Sequence, residues 1–297
     1  MSLDLDERQR AMLKEMGVQV WWPKPQPADP APAAAPPVAA ALPERRTPPP
    51  AQAVNPATVR PVAEVASKNI AVHADSIRAN SRFGEVKPLS NLSTLTWPAL
   101  QQAVAGCRAC ALCEGRHNTV FGVGQPPLSE DVAPQVDWLI VGEAPGENED
   151  RTGEPFVGQA GQLLDNMLRA MGLARNTKVY IANVIKCRPP HNRNPEPAEI
   201  AQCEPYLQRQ IELLQPKVIL AMGKFAAATL LQHSVPDVHK TPLGRLRGQV
   251  HRYTQGGANI PVVATYHPAY LLRSLTEKAK SWADLCLAMA EMRRLGR

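Results

Sequence analysis

Long hydrophobic runs are missing from this sequence. No stretch of its 297 residues approaches the roughly 18–20 continuous apolar side chains of a membrane span, which excludes a helical membrane protein. The opening residues, MSLDLDERQR, are charged and carry none of the apolar run of a secretory signal, so a cytoplasmic protein is expected. Large apolar residues are also scarce across 23–61, where 13 prolines are mixed with alanine. Such a segment cannot bury enough surface to offset chain entropy. It predicts a disordered Pro/Ala-rich linker over 23–95. Ahead of it, residues 1–22 form a short element with near-helical apolar spacing and the pair Trp21-Trp22. That element either docks a protein partner or packs on the main domain.

A further absence lies in the loop 141–161, VGEAPGENEDRTGEPFVGQAG. A glycine-rich loop between a strand and a helix usually holds phosphate. This one lacks the Lys-Ser/Thr of a nucleotide-phosphate loop and the spacing of the dinucleotide fingerprint. It carries five acids (Glu143, Glu147, Glu149, Asp150, Glu154) against one base, Arg151. A phosphotransferase is therefore disfavoured, and the loop must hold something else.

What is present from about Thr96 onward is a folded domain, residues 96–297. Four apolar runs at 137–141, 179–185, 217–221 and 261–265 alternate with helical patterns at 162–171, 198–214, 223–232 and 277–295. Alternation of this kind predicts an α/β fold with a parallel sheet covered on both faces. Ligands of such sheets bind at the carboxyl ends of the strands. There the sequence places Gly142-Glu143-Ala144-Pro145, Lys186-Cys187, Met222-Gly223-Lys224 and Tyr266-His267-Pro268. Their convergence predicts one site.

Six cysteines stand at 107, 110, 113, 187, 203 and 286. Cys107 and Cys110 form a C-x2-C knuckle. Cys187 and Cys203 form a second, wider pair. Four thiolates drawn from two places suit a [4Fe–4S] cluster or a structural zinc. Zinc pairs favour two- to four-residue spacing on each side, so the wide pair leans toward iron–sulfur. Cys113 is a competing ligand, and Cys286 fits a helical core pattern. The loop CRPPHNRNP that follows Cys187 is rigid and basic, with Arg188 and Arg193 suited to a phosphate backbone. Charge agrees: residues 101–150 hold 2 basic and 8 acidic side chains, whereas 151–297 hold 20 and 10. The C-terminal half is a candidate surface for a polyanion.

GEAPGENEDRTGEPFVGQAGQLL at 142–164, NVIKCRPPHNRNP at 183–195 with Cys203 following, and HPAYLLR at 267–273 resemble the family 4 uracil-DNA glycosylases, the iron–sulfur branch of that superfamily. The resemblance covers about residues 100–295. It implies a three-layer α/β/α sandwich around a four-stranded parallel sheet, a [4Fe–4S] cluster, and hydrolysis of the bond between uracil and deoxyribose to start base excision repair. Cluster ligands fall on Cys107, Cys110, Cys187 and Cys203. Catalytic roles fall on Glu143 and His267. Uracil binding falls on Ala144, Phe156 and Asn183, with Phe156 stacking on the ring and Asn183 reading its edge. Leu271 is the expected wedge for the gap left by the flipped base, with Arg188, Arg193 and Arg273 on phosphates, joined by Lys278 and Lys280. A covalent-trapping branch carries an inserted basic loop that CRPPHNRNP lacks, so turnover is expected. The expected partner is uracil-containing DNA, in a bacterial monomer associated with the nucleoid. The alternative is a non-catalytic iron–sulfur DNA-binding protein.

Overall fold

The computed structural model describes residues 92–127 and 136–296. The element expected over 1–22 and the linker over 23–91 lie outside the described residues. Packing begins by Leu92, slightly ahead of the expected boundary at 96. Leu92, Leu95 and Trp97 pack against Leu100, Val104, Phe121 and Tyr206 in a small cluster.

Short runs rich in Val, Ile, Leu and Ala form the central strands because both of their faces are buried. These are β2 (Trp138–Gly142), β3 (Val179–Asn183), β4 (Val218–Met222) and β6 (Ile260–Thr265). They lie in the order β3-β2-β4-β6 and are mutually parallel. The sheet is larger than the expected four strands. β1 (Val123–Gly124) pairs antiparallel with β3 at one edge, and β5 (Val250–Tyr253) pairs antiparallel with β6 at the other. Neither edge strand has a sequence signal. β1 is two residues long, and β5 reads VHRY, half polar because one side is uncovered.

Alternate strand residues feed two cores. Trp138, Ile140, Ile181, Leu220 and Val263 pack against α4 (Gln159–Ala170), α8 (Pro268–Arg273) and α9 (Lys278–Leu295). Leu139, Val141, Ala182, Ile219 and Ala264 pack against α5 (Pro197–Leu214) and α6 (Lys224–Leu231). The result is helix layers on both faces of a mixed six-stranded sheet. Four shorter elements complete it: α1 (Trp97–Ala105), α2 (Leu112–Gly115), α3 (Glu147–Thr152) and α7 (Leu243–Leu246). Among the described residues no helix is long and apolar enough to cross a membrane.

Candidate active site and cysteine cage

A cleft of about 640 Å³ opens at the carboxyl ends of the four parallel strands. The loop after β2 supplies Glu143, Ala144, Pro145 and Phe156; β3 supplies Asn183; the turn after β4 supplies Gly223; the turn after β6 supplies His267. The chain ends of neighbouring strands thus bring the expected groups together.

Asn183 is the last residue of β3 and pairs in register with Gly142 of β2. It is 2% exposed, and its Oδ1 has no hydrogen-bond partner among the described residues. A buried amide oxygen left unpaired costs about 1–3 kcal/mol, so it marks a place for a donor. A side chain on Gly142 would overlap both Asn183 and the Phe156 ring, which explains a glycine inside an otherwise apolar strand.

Phe156 sits at φ 57°, left-handed backbone that an aromatic residue adopts only under constraint. Arg175 supplies the constraint. It donates to the carbonyls of Pro155 and Phe156 at 3.0 and 2.6 Å while its Nε pairs with Asp165 at 2.5 Å. Sequence reading missed Arg175, because its partners lie ten to twenty residues away in a loop. The Phe156 ring lies nearly parallel to His267, with centroids 5.3 Å apart.

His267 caps α8. Its Nδ1 accepts the N–H of Ala269 at 3.2 Å. Burial, with the Arg273 cation as a second cause, pushes its pKa down to about 4. The ring is therefore neutral at ordinary pH, with its proton on Nε2 as a donor. Glu143 lies across the cleft. Its Oε1 accepts the Phe225 N–H at 2.9 Å at the start of α6, and burial raises its pKa against the backbone N–H groups of Phe225 and Lys224. Gly223, at φ 101°, leaves room for this carboxylate.

The acids of the loop divide by role. Glu149 ties the loop's ends together, accepting from Gly146 at 3.1 Å and from Val157 and Gly158 at 3.0 and 3.3 Å. Asp150 is buried and accepts the His117 N–H at 2.9 Å, with His117 Nδ1 2.7 Å from its second oxygen. Glu147 and Glu154 are exposed, and Glu147 pairs with Arg188 at 3.3 Å. Glu149 thus satisfies the loop's own N–H groups, and Asp150 and Glu143 satisfy N–H groups of segments packed beside the loop.

Two expected DNA-binding side chains are placed otherwise. Leu271 is 0% exposed, packed among the apolar residues between α4 and α9. Its side chain faces the core here, not a DNA surface. Tyr270, Leu272 and Leu275 on the same segment are exposed instead. A helix turns each side chain by about 100° from the last, so a shift of one residue separates core from solvent. Arg193 forms a two-pronged pair with Glu199 at 2.9 and 2.6 Å, closing the start of α5, and is not a free phosphate contact. Arg188 bonds Asn192 at 2.7 Å as well as Glu147, and Arg273 stands exposed on the cleft rim.

Beside the cleft, Cys107, Cys110, Cys113, Cys187 and Cys203 line one small apolar cavity with Val104 and Tyr206. Cys286 lies elsewhere, packed against the core under α9. Burial raises the pKa of Cys110 and Cys187, and pushes Cys203 up to about 12. Donors face the sulfurs, among them Arg116 Nη1 to Cys187 Sγ at 3.1 Å and the main-chain N–H of Lys186 to Cys203 Sγ at 3.2 Å. Among the described residues no three His, Cys, Asp or Glu side chains are grouped to hold a single metal ion.

The family model for the uracil DNA glycosylase superfamily matches residues 130–287. A type-4 uracil-DNA glycosylase of Archaeoglobus fulgidus is 43% identical over 169 residues, 57% of this chain and 79% of the relative. The type-4 enzyme of Thermotoga maritima is 42% identical over 181 residues, 61% of this chain and 85% of the relative. That of Pyrobaculum aerophilum is 38% identical over 188 residues, 63% and 90% of the two chains. With the same three loops now gathered at one strand edge, the chain belongs to the uracil DNA glycosylase superfamily and, within it, to the type-4 enzymes.

Proposed function

We propose that this chain flips uracil out of DNA and hydrolyses its glycosidic bond. The observation that carries this reading is the unpartnered Oδ1 of Asn183, buried at the end of β3 and lining the cleft. Uracil presents an N3–H donor beside an O4 acceptor. A carboxamide answers both at once, its oxygen taking N3–H and its nitrogen donating to O4. Cytosine reverses that pattern and leaves a buried group unpaired, which a rigid site rejects strongly. A base stacked in DNA cannot reach this depth, so extrusion is required.

Bond cleavage leaves positive charge on the sugar and negative charge on uracil N1 and O2. The neutral His267, its Nδ1 already occupied, offers Nε2–H to O2 of the departing base. Water attacks the sugar at C1′ as the base leaves with the electron pair, and the proton that water gives up ends on the released uracil anion. Glu143, fixed by α6, orients that water and stabilises the cationic sugar. Phe156 and Ala144 wall the pocket. Tyr270 and Leu272, exposed at 38% and 39%, replace Leu271 as the apolar groups that fill the vacated stack, with Arg273 beside them for phosphate.

Cys107, Cys110, Cys187 and Cys203 would hold a [4Fe–4S] cluster. The donor set supports this, being all thiol and drawn from the segment after α1, the segment after β3 and helix α5 around one apolar cavity. A lone tetrahedral zinc, with sulfurs at about 2.3 Å, would need those thiols grouped tightly about one point. Nothing in the hydrolysis requires electrons, so the cluster's contribution is to staple the segment after β3 to α1.

The test is incubation with a uracil-containing oligonucleotide, then alkaline cleavage of abasic sites, beside Asn183→Ala and His267→Ala. Cleavage at uracil alone, lost in both variants, is expected. Tight DNA binding with no release of uracil would instead mean a binding protein.

A further inference from the structure

One buried cation belongs to neither site as described and touches both. Lys186 lines the cysteine cavity but not the cleft, and Asn183 lines the cleft but not the cavity. Lys186 is 1% exposed. Its main-chain N–H meets Cys203 Sγ at 3.2 Å. Its ammonium reaches back to the main-chain carbonyl of Asn183 at 2.7 Å and to Gln210 Oε1 at 2.7 Å. Gln210, itself fully buried, donates onward to the Phe121 carbonyl at 3.0 Å, and the Lys186 carbonyl accepts the Val120 N–H at 2.8 Å.

Burying an ammonium is costly, and packing alone would be served as well by an apolar side chain of the same length. The cost is understandable from what the ammonium holds. Asn183 forms the last pair of the β2–β3 ladder, and the peptide that follows it is held from both sides: the Val184 N–H donates to the Gly142 carbonyl at 3.0 Å, and the Lys186 ammonium holds the Asn183 carbonyl. The peptide that the ammonium grips is the one from which the uracil-reading amide springs. A small rotation of that peptide swings the amide tip, and a misplacement of about 1 Å in a binding group can cost 100-fold in rate.

We propose that Lys186 is a positioning residue that ties the orientation of the Asn183 amide to the cysteine cage. One end is fixed by Cys203, the other clamps the carbonyl of Asn183, and Gln210 holds the bridge in place. The proposal rests on the reading of Asn183 given above.

The test is a double-mutant cycle of parent, Lys186→Met, Asn183→Ala and the pair, measured as single-turnover uracil excision, with iron content and visible absorption recorded for each protein. Lys186→Met is expected to slow excision about tenfold to 100-fold, because two buried acceptors lose their donor. In the Asn183→Ala background the same change is expected to cost less than about twofold, since there is no amide left to aim. Iron per protein is expected to match the parent, because the N–H facing Cys203 belongs to the main chain. Equal losses in both backgrounds would overturn the proposal and make Lys186 scaffold. Loss of iron with loss of rate would overturn it too, placing the effect in the cage. Full excision by Asn183→Ala alone would remove the pocket reading and this proposal together. If Lys186→Met does not fold, Gln210→Met enters the same cycle. A smaller loss that vanishes without Asn183 supports the bridge, and an additive one overturns it.

Discussion

The cleft and the cysteine cage share the segment that leaves β3, yet they differ in what answers burial. In the cleft, burial disfavours charge on both His267 and Glu143; His267 is neutral and donates from Nε2, while N–H groups at the start of α6 hold the Glu143 carboxylate against that cost. The cage is small and apolar, and burial there acts against the charged form, pushing Cys203 up to about 12. Thiolate, not thiol, ligates metal. The cluster proposed above would supply the positive charge that favours thiolate there, while the cleft relies on this chain's own dipoles and hydrogen bonds. One strand end thus borders both the cysteine cage and the cleft, and in the proposal above Lys186 joins them through its main-chain N–H and its ammonium.

The comparison can be broken most severely at the cage. Cys203→Ala is expected to abolish iron binding and, with it, most excision, since α5 and the segment after β3 lose their staple; iron content and circular dichroism read both. A variant that loses iron but keeps full excision would separate the two sites. In the cleft, Asn183→Ala is expected to lower the excision rate by about 1000-fold or more with iron retained. His267→Ala removes one donor and is expected to cost about 100- to 1000-fold.

A pH series sharpens the contrast. The folded-state pKa of His267 lies near 4, below its ordinary 6.5, so this ring should add no inflection near 6.5 to the excision rate, and its own loss should come as pH approaches 4. The unfolded chain takes up that proton first, so this histidine's contribution to stability is complete above 6.5 and is lost as pH falls toward 4. An inflection at 6.5 that disappears in His267→Asn would mean the ring is solvated and charged. The smallest effect compares neighbours. Leu271→Ala should cost about 2–5 kcal/mol in denaturant unfolding. Leu272→Ala should leave stability within about 0.5 kcal/mol and weaken DNA binding severalfold. The reverse result would restore Leu271 as the wedge.

Much of the molecule was legible from sequence. The continuous apolar runs located the central strands within about two residues, and the helical patterns between them gave the layers. Strand ends named Glu143 and His267, whereas Asn183 came from the family resemblance, the second strand being expected to run on to 185. The edge strands were not legible, since pairing on one side only leaves no apolar pattern to read.

Sequence by itself determined the order of strands and helices, the glycines that admit Asn183, Phe156 and Glu143, and the cysteines that line the cage. Those follow from local periodicity, backbone freedom and donor chemistry. Tertiary structure alone decided that Leu271 faces the core while Leu272 faces solvent, and that Arg193 is spent on Glu199. It also set Arg175 to strain Phe156 and Lys186 to bridge cage and pocket. Each of these depends on where a side chain meets a partner brought close by the fold, and no local pattern encodes that meeting.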